Sequence, residues 1–133
     1  MSDVNLLRRV NTQGLKNVLT ALENVTNKRL VRGMLWDRSL KCGCLIGAIY
    51  PRSEALSGEY LTRGNLVSIV KGVGCHYVWE FVDAKEWGEG MGISTEEVRN
   101  LEAYNDSMSG DSASRYEAVL AGLKKEVSTR SDT

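Results

Sequence analysis

The sequence predicts a helix-rich α+β fold, and three observations carry that prediction. Apolar residues recur at i, i+3, i+4 and i+7 towards both ends of the chain, the period of a helix with one buried stripe. Ser94 and Glu97 stand three apart just before Val98, the spacing of a capping box. Between them in the chain, residues 29–48 alternate around a polar turn, as a small β-hairpin would.

At the N-terminal end, Leu15, Val18, Leu19 and Leu22 place an amphipathic helix over residues 12–25, with Asn11 or Thr12 positioned to cap it. In the next segment Leu30, Arg32, Met34 and Trp36 alternate with Val31, Gly33 and Leu35. Asp37-Arg38-Ser39 has turn character, and residues 40–46 are apolar, so two short strands around a turn are expected. Residues 51–64 read as a loop with Ser57-Gly58 as a turn, and Gly72 and Gly74 break the chain again beyond it. This central region is expected to be part helical, part irregular, with a helix over residues 75–87 that puts Val78 and Val82 on one face. Residues 88–92, Gly-Glu-Gly-Met-Gly, read as a flexible connector. Two helices close the chain, one from Ser94 to about Asn105-Asp106, the other over residues 113–127 with Tyr116, Val119, Leu120, Leu123 and Val127 in a stripe. They are expected to pair antiparallel. The polar residues from about 128 read as a frayed tail.

The 133 residues suit a single domain able to bury a core without staples. No apolar run approaches the roughly 18 residues that cross a bilayer, and no apolar segment follows the first basic residues, so no membrane association and a cytoplasmic location are expected. Three cysteines, Cys42, Cys44 and Cys75, argue by their odd number for reduced, buried thiols. The net charge is zero but polarised. Residues 1–76 carry 11 Lys+Arg against 5 Asp+Glu, a balance of +6; residues 77–133 carry 6 against 12, a balance of −6. The halves can attract one another within one fold, or present separate faces to a partner.

No motif has a strong catalytic signature. Cys42, Cys44, Cys75 and His76 are the right ligand types for zinc, but Cys-x-Cys is tighter than the usual knuckle and adjacent Cys-His seldom aims at one ion. The expectation is therefore no metal and no cofactor. A cysteine nucleophile would need Cys42 or Cys44 beside the only histidine, His76, with Asn105 or Asp106 orienting the ring. The Gly88, Gly90, Gly92 run precedes a helix start but lacks the lysine of a phosphate loop. Arg29, Arg32, Arg38, Lys41 and Arg52, with Trp36, Tyr50 or Tyr60 for stacking, make a nucleic-acid-binding module the alternative reading. Among the tryptophans, Trp87, flanked by Glu86 and glycines, is the best candidate for an exposed anchor.

Two stretches together resemble a known class. Cys42-Gly43-Cys44-Leu45-Ile46-Gly47-Ala48 resembles a C-x-(L/I)-G-A segment. Residues 92–98, followed by Leu101, Asn105-Asp106 and residues 115–120, resemble the helix, Asn-Asp turn and closing helix that accompany it. The combination is similar to small accessory proteins of bacteriophages and prophages and covers about half the chain. The resemblance implies a non-catalytic protein that binds a host protein or ribonucleoprotein complex; inhibition of a host defence complex, as anti-CRISPR proteins do, is one version. It transfers no catalytic residue. The acidic half supplies a physical means, with Glu86, Glu89, Glu96 and Glu97, beside Trp87, imitating phosphate charge towards a basic groove. Self-association into a homodimer through an amphipathic helix is the other partner such a surface allows.

Overall fold

The computed structural model describes residues 5–32, 36–54 and 82–131. Among these the fold is helical: α1 (Asn5–Arg8), α2 (Thr12–Glu23), α3 (Leu45–Ile49), α4 (Val82–Met91), α5 (Thr95–Ser107) and α6 (Ser112–Ser131). No described helix is long and apolar enough to cross a membrane.

Helix α2 forms where its stripe predicts. Leu15, Val18 and Leu22 are buried and Leu19 packs against them. Asn11 caps it, its Oδ1 accepting from the Gly14 N–H at 2.8 Å. At the other end the orphan carbonyls are met from outside the helix. The Lys28 ammonium donates to Glu23 and Val25 O, both at 3.1 Å, and the Tyr116 hydroxyl donates to Leu22 O at 3.2 Å. The buried side of α2 rests on α6, its most extensive contact, and also on α3 and α4. Leu45 and Ile46 of α3, Val98, Leu101 and Tyr104 of α5, and Tyr116, Val119 and Leu123 of α6 complete one core, with Leu7 and Val10 closing its end. A fully buried Leu or Val is worth about 1.5–3 kcal/mol each, so the stripes rather than helix propensity hold the bundle together.

Among the described residues, which leave out 33–35, the expected hairpin is not formed. A lone antiparallel bridge joins Asp37 to Cys42, and the residues between them are a turn. The physical reason lies in two side chains. Asp37 Oδ1 accepts from the Ser39 N–H (2.9 Å), the Ser39 hydroxyl (2.6 Å) and the Leu40 N–H (3.1 Å), so the backbone that would extend a ladder is wound round a carboxylate. Cys44 then acts as an N-cap, its Sγ accepting from the Gly47 N–H at 3.3 Å, and the apolar run becomes helix α3. A short apolar run reads equally as strand or buried helix, and here the cap decides. Residues 29–31 stay extended as a strap. Leu30 N–H donates to Ser112 O, Val31 N–H to Gly43 O, and the Val31 carbonyl accepts from Asn105 Nδ2 at 2.9 Å.

Two other expectations change. Residues 88–91 are not a connector: α4 runs through them to Met91 and stops at Gly92, whose φ of +75° suits glycine. Gly92 and Ile93 lie hard against the first turn of α2, where a Cβ on Gly14 would stand 2.7 Å from Ile93 Cγ2 and 2.8 Å from Gly92 O. The polar end of the chain is helical to Ser131 where composition suggests fraying. Arg130 pins it, donating to Val10 O at 2.6 Å and Leu7 O at 2.9 Å while pairing with Glu126 at 3.2 Å. Helix α6 packs more extensively on α2 than on α5, so the two closing helices touch but the longer one finds its main partner elsewhere. The first part of the expected 75–87 helix and the 51–64 loop beyond residue 54 lie outside the described residues.

Candidate functional site

The acidic candidates divide into two groups. Glu86 and Glu89 of α4 and Glu96 of α5 are exposed. Glu97 is engaged. One carboxylate oxygen accepts from the Ser94 N–H at 2.9 Å, while the Ser94 hydroxyl accepts from the Glu97 N–H at 3.1 Å, completing the capping box. The other oxygen accepts from both the backbone N–H and the side-chain amide of Asn11, the latter at 2.8 Å. Burial alone would raise the Glu97 pKa, but the donors of Asn11 and Ser94 outweigh it and bring it below the ordinary glutamate value. Glu97 is thus the junction of two helix starts rather than free charge. Trp87 is half-buried and meets Tyr50 edge-on, ring centroids 5.2 Å apart at 63°, so its ring is largely spent on internal packing.

The open part of this face is the end of α4. A Cβ at Gly90 would touch nothing within 4 Å, so the helix presents bare backbone there, flanked by Glu86 and Glu89. Both choices are locally unfavourable. Glycine in a helix costs about 1 kcal/mol relative to alanine. A carboxylate in a last turn, which here holds no basic residue, opposes the helix dipole by about 0.3–1 kcal/mol.

Glu102 behaves differently from the rest. Burial, and then the Asp106 carboxylate one turn on, push its pKa up to about 8 from 4.5, with Arg99 pulling the other way; one carboxylate oxygen is buried without a hydrogen-bond partner. A carboxyl raised in this way keeps its proton in the folded state and loses it in the unfolded state between pH 4.5 and about 8, so stability falls as pH rises through that window. Glu102→Gln mimics the protonated acid. Urea titrations should find the variant and the parent alike at pH 4, and the variant more stable at pH 8.5 by on the order of 1–2 kcal/mol, a figure reduced for partial solvent exposure.

On the basic side Arg29, Arg32, Arg38, Lys41 and Arg52 are all exposed. Lys41 borders a cleft of about 370 Å³ between the end of α2, the Asp37–Cys42 turn and α3. Val25, Ala48 and Ile49 give it an apolar floor, and Asn24 and Asn27 stand with Lys41 on its rim. Asn27 ties the turn down, its amide donating to Leu40 O at 2.7 Å and Lys41 O at 3.0 Å.

The four cysteine and histidine candidates do not assemble within the described residues, where no group of three metal-ligating side chains occurs. Cys75 and His76 lie outside them. Cys42 keeps a free, buried thiol; burial first, and the Asp37 charge second, raise its pKa against the pull of Arg29, which disfavours a reactive thiolate. Cys44 is disulfide-bonded, which corrects the expectation of reduced thiols throughout. Asn105, weighed as an orienting group for a catalytic ring, is fully buried and holds Val31 O and Asp106 instead. The turn at Asp37-Arg38-Ser39 stands where the sequence placed it; what sequence reasoning missed is that the Asp37 carboxylate winds it, for which the only available signal was an Asp-x-Ser pair, common in turns of every kind.

No family model, curated protein or solved structure matches the chain.

Proposed function

We propose that this chain is a non-catalytic, protein-binding accessory protein of the phage and prophage type, which docks the acidic end of α4 and the start of α5 onto a basic surface of a host protein or ribonucleoprotein. In its sharpest form the protein blocks a host defence complex by covering a groove that would otherwise take nucleic acid.

The observation that carries the reading is the open face formed by Glu86, Glu89 and Gly90. Charges that repel a helix end, and a glycine that packs on nothing, cost stability and return none among the described residues. Sequences break local rules of this kind chiefly where a surface has a task. Bare backbone lets a partner approach closely, and carboxylates beside it supply steering and register towards positive charge.

The test is the triple variant Glu86→Gln, Glu89→Gln, Glu96→Gln, with Glu97 left in place because the fold needs it. Capture from bacterial lysate, identified by mass spectrometry, should lose its principal partner, and affinity for that partner should fall roughly tenfold at low salt with a flatter salt dependence. Undiminished capture with the same salt dependence would remove the reading. The nucleic-acid-binding module remains the second reading, because Trp36 and Lys41 border one cleft with Arg38 on the same turn; salt-sensitive binding to short oligonucleotides, unchanged in the triple variant, would favour it.

A further inference from the structure

Lys41 stands in a backbone conformation that its side chain does not favour. Its φ is +55°, and it is the only residue other than glycine with positive φ among the described residues. Glycine adopts this region without steric cost, and asparagine tolerates it far better than lysine does. Nothing among the described residues rewards a lysine there. The turn is fixed by other groups: Asp37 Oδ1 with its three donors, the Lys41 N–H on Asp37 O at 2.8 Å, and Asn27 from across the chain. The Lys41 side chain is exposed and makes no ion pair among the described residues. A strained residue held by an over-determined turn, with its side chain free beside a cavity, points from backbone to function.

The cavity that Lys41 borders sets what its side chain can reach. About 370 Å³ is at the lower end of the range for small-molecule sites. Val25, Ala48 and Ile49 offer an apolar floor, Trp36 adds ring surface, and Asn24 offers a side-chain amide near the rim. The Trp36 indole N–H is sealed from solvent. Among the described residues, the single charge bordering this cleft is an ammonium, a compact point charge with three donors. A point charge of this kind pairs most strongly with the group that carries the most opposite charge, and a phosphate monoester, at roughly −1.5 to −2 near pH 7, exceeds a carboxylate in this.

We propose that this cleft is a binding site for a small organic phosphate with a flat or apolar body, the phosphate held by Lys41 and the body laid on Val25, Ala48 and Ile49. The proposal is independent of the acidic face at the end of α4.

Adenosine 5′-monophosphate and phenyl phosphate, titrated separately by calorimetry into the full chain, are the probes. At least one should bind saturably, and inorganic phosphate alone should bind more weakly because it leaves the floor unused. Lys41→Gly should weaken binding roughly tenfold or more while raising Tm by roughly 3 °C, since glycine relieves the strained φ. Lys41→Gln, which keeps the strain and removes the charge, should weaken binding without raising Tm. Lys16→Ala, on the exposed side of α2, should change neither. Failure of both organic probes to bind, or equal affinity in Lys41→Gly, overturns the proposal. So does saturable binding of a single-stranded oligonucleotide by a chain that takes neither probe, because an extended surface rather than the cleft would then be at work.

Discussion

Gly122→Ala should destabilise the protein by about 2–3 kcal/mol and lower Tm by roughly 10 °C. The expected sign runs against helix propensity. Gly122 lies inside α6, and alanine in an unconstrained helix interior gains about 1 kcal/mol over glycine. The neighbour decides otherwise. A Cβ built at Gly122 falls within the hydroxyl of Tyr104 and stands 2.8 Å from its Cζ and 3.3 Å from Cε2. Tyr104 is itself 1% exposed and packed in the core, so the ring has no solvent side to swing into. Either α6 moves off α5 or the tyrosine leaves its rotamer, and each costs more than the propensity gain. Thermal unfolding of the parent, Gly122→Ala and the double variant checks this. Tyr104→Phe in the Gly122→Ala background should recover part of the loss, not all of it, because the ring carbon remains closer than a Cβ tolerates. A Gly122→Ala variant as stable as the parent would mean that the α5–α6 contact is looser than these distances require.

That contact shows which parts of the fold could be read in advance. The stripe of α2 and the capping box at Ser94 are local patterns, each complete within a few turns, and each forms where the period and the spacing place it. Residues 37–49 turned on rarer local competition: one aspartate folding three donors onto itself, and a cysteine acting as a cap, where asparagine, aspartate or serine would have been recognisable. The run 88–91 misleads because two glycines suggest a break, whereas Gly88 is simply buried in a helix and it is Gly92 that ends it. The acidic candidates were visible as charge, but charge does not show engagement. Glu86, Glu89 and Glu96 stay exposed, while Glu97 meets a residue 86 positions away. No pattern confined to one stretch of sequence signals Asn11 as its partner, just as none signals that Tyr104 needs the space above Gly122.

Glu97 supplies the second large effect. Its two oxygens accept from the first residues of two helices that are far apart in the chain, Ser94 before α5 and Asn11 before α2. Asn11 returns the contact along a second route, its side-chain amide donating to Gly92 O at 2.6 Å while Asn17 donates to Met91 O at 2.8 Å. The start of α2 is therefore fastened to the turn between α4 and α5, and one carboxylate closes the fastening. Hydrogen bonds to a charged acceptor contribute about 1.5–3 kcal/mol when shielded and less when partly wet, as here. Glu97→Ala strips the box and the cross-link together and should cost about 2–3 kcal/mol; Glu97→Gln, which keeps one carbonyl acceptor, should cost about half as much. The pH dependence has a defined sign. Because the folded carboxyl sits below its unfolded value, its contribution is fully present above the unfolded pKa near 4.5 and is lost as pH falls through the lower, folded one. Urea unfolding at pH 7 and pH 3 should find the gap between parent and Glu97→Ala narrowing with acid. This slope is opposite to that of Glu102, whose penalty grows as pH rises, so the two glutamates together place the stability maximum on the acid side of neutrality. A stability that rises steadily from pH 5 to pH 9 would show that Glu102 is not held by these contacts, and a gap between parent and Glu97→Ala that stays constant down to pH 3 would show the same of Glu97.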